Sequence, residues 1–443
     1  MGRVRRTTEL GLLLLGALIV IGAYSLTALG RTASLPANIG PFLGMLLALF
    51  AIGHLAVRKL APQADGLLLP LAGLLNGLGY VFIARMDTEL AAAQATWSAV
   101  GMAGFVATLV LIRRARNLEH YRYSFAALGI LLLLLPSVPV IGQEINGARI
   151  WIRVGPMSFQ PGEAAKLALA AFIAGYLVEK RELLALSTKR LGPLYLPDPR
   201  HLGPLLAAWG VSLLVMVNQK DLGSSLLFFT LFIVLVWVAT GRAAYLLLGL
   251  GLFAGGATIA YQLFGHVRDR VTIWLDPWPV AKEAGYQIVE AAFAMADGGL
   301  TGTGLGLGDP SRIPANTTDF IFAVVAEELG LVGATALLMA YLLLVGSGLR
   351  IALQADSNFD KLLATGLTTL LGVQAFVIIG GVTRVLPLTG VTLPFMSFGG
   401  SSLLANYVLL ALLVRISDEA TARSTARAAE VAVGESPTMV VGS

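Results

Sequence analysis

Cysteine is absent from all 443 residues, and histidine occurs only four times. The first absence excludes disulfides, thiolate metal sites and cysteine nucleophiles. The histidines are scattered, with no HExxH-type pair to hold a metal. Charge is scarce as well: Asp, Glu, Lys and Arg make up 13%, against about 25% in an ordinary soluble domain. The chain also lacks the short alternating strands of a closed barrel. What fills the composition is apolar, at 56% hydrophobic with a mean hydropathy of +0.79. A soluble protein cannot hide that much apolar surface, whereas a bilayer can. The expected fold class is therefore an all-α polytopic membrane protein. The pI near 9.4 reads as Lys and Arg gathered in cytoplasmic loops, not as a nucleic-acid surface.

A spanning helix needs about 20 mostly apolar residues. Runs of that kind lie near 9–30, 38–58, 66–85, 94–113, 121–141, 162–179, 202–219, 222–241, 243–263, 320–347, 361–383 and 395–416, about 12 spans in all. The first lacks a small-residue cleavage site and is read as a span, not as a signal peptide. With the N-terminus in the cytoplasm, the inner loops collect about twice as many Lys and Arg as the outer ones, as the positive-inside rule requires. Both termini are then cytoplasmic. Three outer segments result: 142–161, a long loop at about 264–319, and 384–394. The small, polar residues 418–443 are expected to form a disordered cytoplasmic tail.

The chemistry concentrates beside these outer segments. Asn146 to Lys166 mixes Arg149, Trp151 and Arg153 with turn residues, a composition also shown by an ordinary interfacial helix. Glu163 and Lys166 stand i, i+3 at the start of an apolar run and share a helix face, either as a structural ion pair or facing a wet cavity. Asp221 opens a span in the position of a helix cap. The long loop carries Arg268, Arg270, Tyr286 and Gln287, and then the glycine string Gly298 to Gly308. No GK[ST] follows that string and no strand precedes it, so it is neither a P-loop nor a dinucleotide fingerprint. It reads instead as backbone that must approach something closely.

Thr318 and Asp319 then sit at the mouth of a long apolar helix, with Asp319 serving as cap, catalytic carboxylate or both. Glu327 and Glu328 lie two to three turns deeper, where two consecutive carboxylates will not both face lipid. The last segment, Leu386 to Ser402, holds Pro394, Ser397, Gly399, Gly400 and Ser401. Such irregular backbone at membrane depth is tolerated only where protein buries it or it lines a cavity. Arginines on the same face are suited to a diphosphate. A divalent cation (Mg or Mn) is able to share that load, although no dedicated metal cage appears.

Four stretches together resemble the SEDS family (shape, elongation, division and sporulation), which includes RodA and FtsW. They are Asn146 to Lys166, Asp221-Leu-Gly223, Thr318-Asp-Phe-Ile-Phe322 with Glu327-Glu-Leu-Gly330, and Leu386 to Ser402. The resemblance implies a ten-helix core over 61–417, preceded here by two extra transmembrane helices in 1–60. It further implies a peptidoglycan glycosyltransferase that polymerises lipid II outside the cell, in elongation or division, beside a class B penicillin-binding protein. Its essential aspartate maps onto Asp319. Substrate contacts are expected from Arg149, Trp151, Glu163, Lys166, Arg268, Arg270, Tyr286, Gln287, Thr318, Ser397 and Ser401. Asp221, Glu327, Glu328, Pro394, Gly399 and Gly400 are expected to be structural or to line the cavity. Where the family writes Leu-Pro-Glu-x-His-Thr-Asp-Phe, this chain has Ala315 for the Glu and Thr317 for the His. A flippase for a lipid-linked sugar and a non-catalytic scaffold for the penicillin-binding protein are the rival readings.

Overall fold

The computed structural model describes every residue except 1, 35–38, 146–147, 156, 186–188, 192–193, 197–198 and 435–443. The chain opens with α1 (Gly2–Thr32), α2 (Ile39–Leu60), α3 (Leu68–Met86), α4 (Thr88–Leu111) and α5 (Arg122–Leu134). A small antiparallel sheet follows, β1 (Gly142–Ile145), β2 (Ala148–Val154) and β3 (Met157–Phe159), in that order. Next come α6 (Pro161–Ala185), the hairpin β4 (Lys189–Leu191) and β5 (Leu194–Leu196), α7 (Pro199–Asn218), α8 (Leu222–Thr240) and α9 (Ala244–Leu263). Two shorter helices, α10 (Gly265–Leu275) and α11 (Tyr286–Gly298), precede α12 (Ile321–Gln354), α13 (Asn358–Val382) and α14 (Gly400–Gly434).

Among the described residues, eleven helices are long and apolar enough to cross a membrane. Helix α7, apolar over Leu206–Val217, supplies the twelfth expected run. The buried core is built around α6, α13 and α14, while α5 and α9 leave most of their length exposed. Helices α1 and α2 pack on α3 and α4, and Tyr24, Phe42 and Tyr80 close that seam, with Phe42 and Tyr80 stacked at 4.9 Å.

Three expectations are revised. The segment 142–161 is a β-sheet, with Trp151 facing Gln143 across the β1–β2 pair, so Trp151 and Arg153 belong to a strand and not to an interfacial helix. The long loop 264–319 is largely ordered into α10, α11 and short turns. The break expected at 418 does not occur either. Helix α14 continues to Gly434: Asp418 accepts from the Gln63 amide (2.7 Å) and Glu419 from the Ala115 amide (2.8 Å), and two turns further on Arg427 pairs with Asp356 at 3.0 Å. Asn146, Gly147 and the end of the expected tail lie outside the described residues.

The glycine string has a steric cause. A Cβ at Gly298 would stand 2.1 Å from the Ala326 carbonyl, and one at Gly302 2.1 Å from the Glu328 carbonyl. Only a bare backbone fits that close to α12, where Gly330 turns to φ +65° and interrupts the helix. The amides of Thr303 and Gly304 then donate to the Glu327 and Glu328 carbonyls.

Candidate active site

Asp319 stands one residue before the cap of α12. That cap is Phe320, and it makes no side-chain capping bond. The carboxylate is thus not spent on the helix N-terminus, and the capping role weighed from the sequence is absent. A turn built on Ala315 presents it: the amides of Thr318 and Phe320 both donate to the Ala315 carbonyl, with Ala315 at φ +57°. A non-glycine residue in that region is strained and persists only where its surroundings hold it.

The segment 386–399 supplies those surroundings. Ser397 Oγ donates to the Thr318 carbonyl at 2.6 Å and accepts from the Leu393 amide, and the Phe398 amide donates to the Thr317 carbonyl. Tyr341 donates to the Pro394 carbonyl at 2.7 Å. Buried, non-helical backbone is in this way paired by protein, as lipid surroundings demand. Gly390, at φ +75°, brings bare backbone to the carboxylate, and a Cβ there would lie 3.8 Å from Asp319 Oδ2. Gly400 is pressed on Trp97, whose ring would stand 2.0 Å from any Cβ.

Arg270, on α10, is the charged neighbour of Asp319. Its Nη1 donates to the Leu388 carbonyl at 3.0 Å, and Trp274 and Arg384 exchange side-chain-to-carbonyl bonds that fasten α10 to the same segment. Burial pushes the Asp319 carboxyl up to about 6, while the Arg270 charge and a hydrogen bond from Thr318 pull the other way. Burial also depresses Arg270, against the opposing pull of Asp319 and Asp221.

Asp221 links this pair to a second polar group. It caps α8 by accepting from the Ser224 amide at 2.9 Å, and burial raises its carboxyl, with the Lys166 charge acting in opposition. Lys166 itself bonds Glu163 Oε1 at 2.8 Å and Gln374 Oε1 at 3.1 Å, all buried. Gln374 passes the network on to the Thr392 carbonyl, and Thr392 Oγ1 bonds Ser402. Ser401 Oγ accepts from the Gln160 amide at 2.8 Å, closing α6 onto α14. Gln374, Thr392 and Ser402 were missed in the sequence. The one available signal was a lone amide in the middle of the apolar run 361–383.

Other expected residues lie apart. Glu328 forms an ion pair with Arg85 at 2.7 Å and accepts from the Gly306 amide, while Glu327 accepts from the Asp309 amide and Arg312. These carboxylates clamp the glycine string. Arg149 reaches the Pro139 carbonyl, and exposed Arg268 reaches the Gln262 carbonyl and the Tyr261 ring. Tyr286 and Gln287 open α11. Among the described residues, no three His, Asp or Glu side chains converge as metal ligands.

The chain was compared with known families, proteins and structures. Residues 69–422 match the cell cycle protein family FtsW/RodA/SpoVE. The peptidoglycan glycosyltransferase RodA of Mycobacterium tuberculosis is 46% identical over 424 residues, covering 93% of this chain and 90% of the relative. Stage V sporulation protein E of Bacillus subtilis is 36% identical over 65% of this chain and 76% of its own. A solved chain described under the structural coordination of polymerization and crosslinking by a peptidoglycan synthase complex superposes with a TM-score of 0.65 at 29% identity, covering 81% of this chain and 98% of that one. The rod shape determining protein RodA of Thermus thermophilus superposes at 0.58 with 28% identity, covering 80% and 96%. With four-fifths of its length inside the family match and a closely similar relative along nearly all of it, the chain belongs to the FtsW/RodA/SpoVE family of multi-pass membrane proteins.

Proposed function

We propose that the protein is a peptidoglycan glycosyltransferase that polymerises lipid II on the outer face of the cytoplasmic membrane, with Asp319 as general base. The observation that carries this reading is the carboxylate of Asp319, not spent on capping α12, partly buried beside Arg270 and raised by burial to about 6. A base works best when its pKa lies near the operating pH. The loop-charge asymmetry puts this end of the bundle outside.

The chemistry is a direct displacement. The 4-hydroxyl of the acceptor sugar forms a bond to the anomeric carbon of the donor as the carbon–oxygen bond to the polyprenyl diphosphate breaks. The hydroxyl proton passes to Asp319, the electron pair leaves with the diphosphate, and an α-linked donor yields a β-linkage. Arg270 holds the facing 386–399 segment at the Leu388 carbonyl and keeps positive charge beside the base. Arg268, Arg149 and Arg153 stand apart from Asp319 and have no carboxylate partner among the described residues, which leaves them to meet the diphosphate of a long lipid-linked substrate, where positive charge lowers the barrier. A class B penicillin-binding protein is the expected partner, in keeping with the described complex of the structural relative.

Purified protein, with and without that partner, is to be incubated with labelled lipid II and the products resolved on a gel. Chains longer than a dimer support the polymerase. Transfer of lipid II across vesicles without chain formation would instead favour a flippase, and neither activity would leave a scaffold.

A further inference from the structure

Helices α2 and α4 do not close on one another along their whole length. Between them lies a groove of about 560 Å³, lined by Leu49 and Ile52 on one side and by α4 from Ala99 to Leu111 on the other. Every lining residue is apolar. Ala99, Ala103 and Ala107 fall on one face of α4, and their small side chains let the groove reach close to the helix backbone.

The length of the groove argues for its occupant. Twelve steps along α4 at 1.5 Å each give about 18 Å, close to half of a hydrocarbon core about 30 Å thick. The groove therefore begins near mid-membrane and runs to one surface only. A spanning helix of a partner protein would need a track twice as long, whereas an acyl chain of a single leaflet needs this one.

The surface end carries the second observation. Arg58 and Lys59 end α2, and Arg113 and Arg114 follow α4 directly. All four are exposed, and none has a carboxylate partner among the described residues. Lys59 stands one heptad beyond Ile52 on the same α2 face. Arg116, next in line, is only loosely engaged with Glu119 at 3.9 Å. An apolar trough one leaflet deep, ending in four unpaired cations, matches a lipid tail joined to an anionic head. The cationic end is the cytoplasmic one by the positive-inside rule.

We propose that this groove is a binding site for an anionic glycerophospholipid of the inner leaflet, its acyl chain between α2 and α4 and its phosphate held by Arg58, Lys59, Arg113 and Arg114. Basic pockets between helices on the cytoplasmic side are suited to such head groups. The site lies at the opposite end of the bundle from Asp319. It is also built in part by one of the two helices that precede the family match, so it is independent of the reaction proposed above.

The full-length protein in neutral-lipid nanodiscs is to be photolabelled with phosphatidylglycerol carrying a diazirine in its acyl chain, and the labelled peptides mapped by mass spectrometry. Label is expected within 99–111. Unlabelled phosphatidylglycerol should compete at least tenfold better than phosphatidylcholine, and glycerol phosphate alone should not compete. Replacing the four cations by Gln should remove the preference for the anionic lipid; these exposed positions leave the core intact. Ala103→Trp should block labelling by filling the trough, with Leu131→Trp on the exposed face of α5 as a folded control. Equal competition by phosphatidylcholine, unchanged preference in the Gln variant, or label confined to other helices would each overturn the proposal.

Discussion

Replacing Asp319 by Asn tests the proposed chemistry most sharply. Asn keeps the size and much of the hydrogen bonding but has no useful proton affinity, and loss of a general base costs about 10²–10⁴ in rate. Stability should move the other way. Burial lifts the Asp319 carboxyl from 3.8 to about 6. The folded chain therefore holds its proton more tightly than the unfolded chain, and stability falls as pH rises between those two values. At about 1.36 kcal/mol per unit, the charged form costs the folded state about 3 kcal/mol above pH 6, an upper figure because the side chain is partly exposed. Asp319→Asn removes that cost, and no capping bond is lost with it. The variant should then melt no lower than wild type at pH 7.5, bind lipid II, and form almost no polymer. Asp319→Ala should behave the same way. The assay is glycan chain formation by purified protein beside thermal unfolding in the same detergent. Near-normal chains from Asp319→Asn would refute the base, and a marked loss of melting temperature would show that the carboxylate holds the fold after all.

Further expectations follow from the same geometry. Polymerisation by the wild type should climb as pH rises through about 6, the value at which Asp319 gives up its proton; a rate flat from pH 5 to 8 would exclude it as the titrating base. Lys166→Met strands the buried Glu163 and should cost roughly 3–5 kcal/mol, read as a lower melting temperature that Glu163→Gln restores in the double variant; full stability with lost lipid II binding would make Lys166 a ligand contact. Gly302→Ala should prevent accumulation of folded protein, because its Cβ meets the Glu328 carbonyl at 2.1 Å and φ is +87°; normal yield would mean that the string does not dock on α12 this tightly. In a chain without native cysteine, Lys282→Cys should react with an impermeant thiol reagent from outside and Asn117→Cys should not, and the reverse pattern would invert the topology.

The spans and the polar motifs between them were legible because each depends on local pattern: length of apolar run and residue type. The close approach required of the glycine string was legible for the same reason, since a run of residues without Cβ has few other uses. Its partner was not. That Gly298 and Gly302 lie against Ala326 and Glu328, and that Glu327 and Glu328 clamp the glycine string, depends on how α11 and α12 meet. Periodicity also failed at 142–161, where aromatic and basic residues suit a strand and an interfacial helix alike, and beyond 417, where polar residues look disordered until Asp418 and Glu419 are seen to bond Gln63 and Ala115, and Arg427 to pair with Asp356.

From the sequence alone came a many-span helical membrane protein, its kinship and Asp319 as the residue to watch, since composition and motif act through neighbours along the chain. The tertiary structure decided what Asp319 is free to do. The Thr318 carbonyl before it is bound by Ser397, 79 positions along from Thr318; Arg270 is tied to Leu388, 118 away; and Lys166 reaches Gln374, 208 away. Contacts between such distant residues carry no period and no spacing. They exist only once the helices have packed, and it is packing that leaves the Asp319 carboxylate uncapped, half sheltered from water and beside a cation.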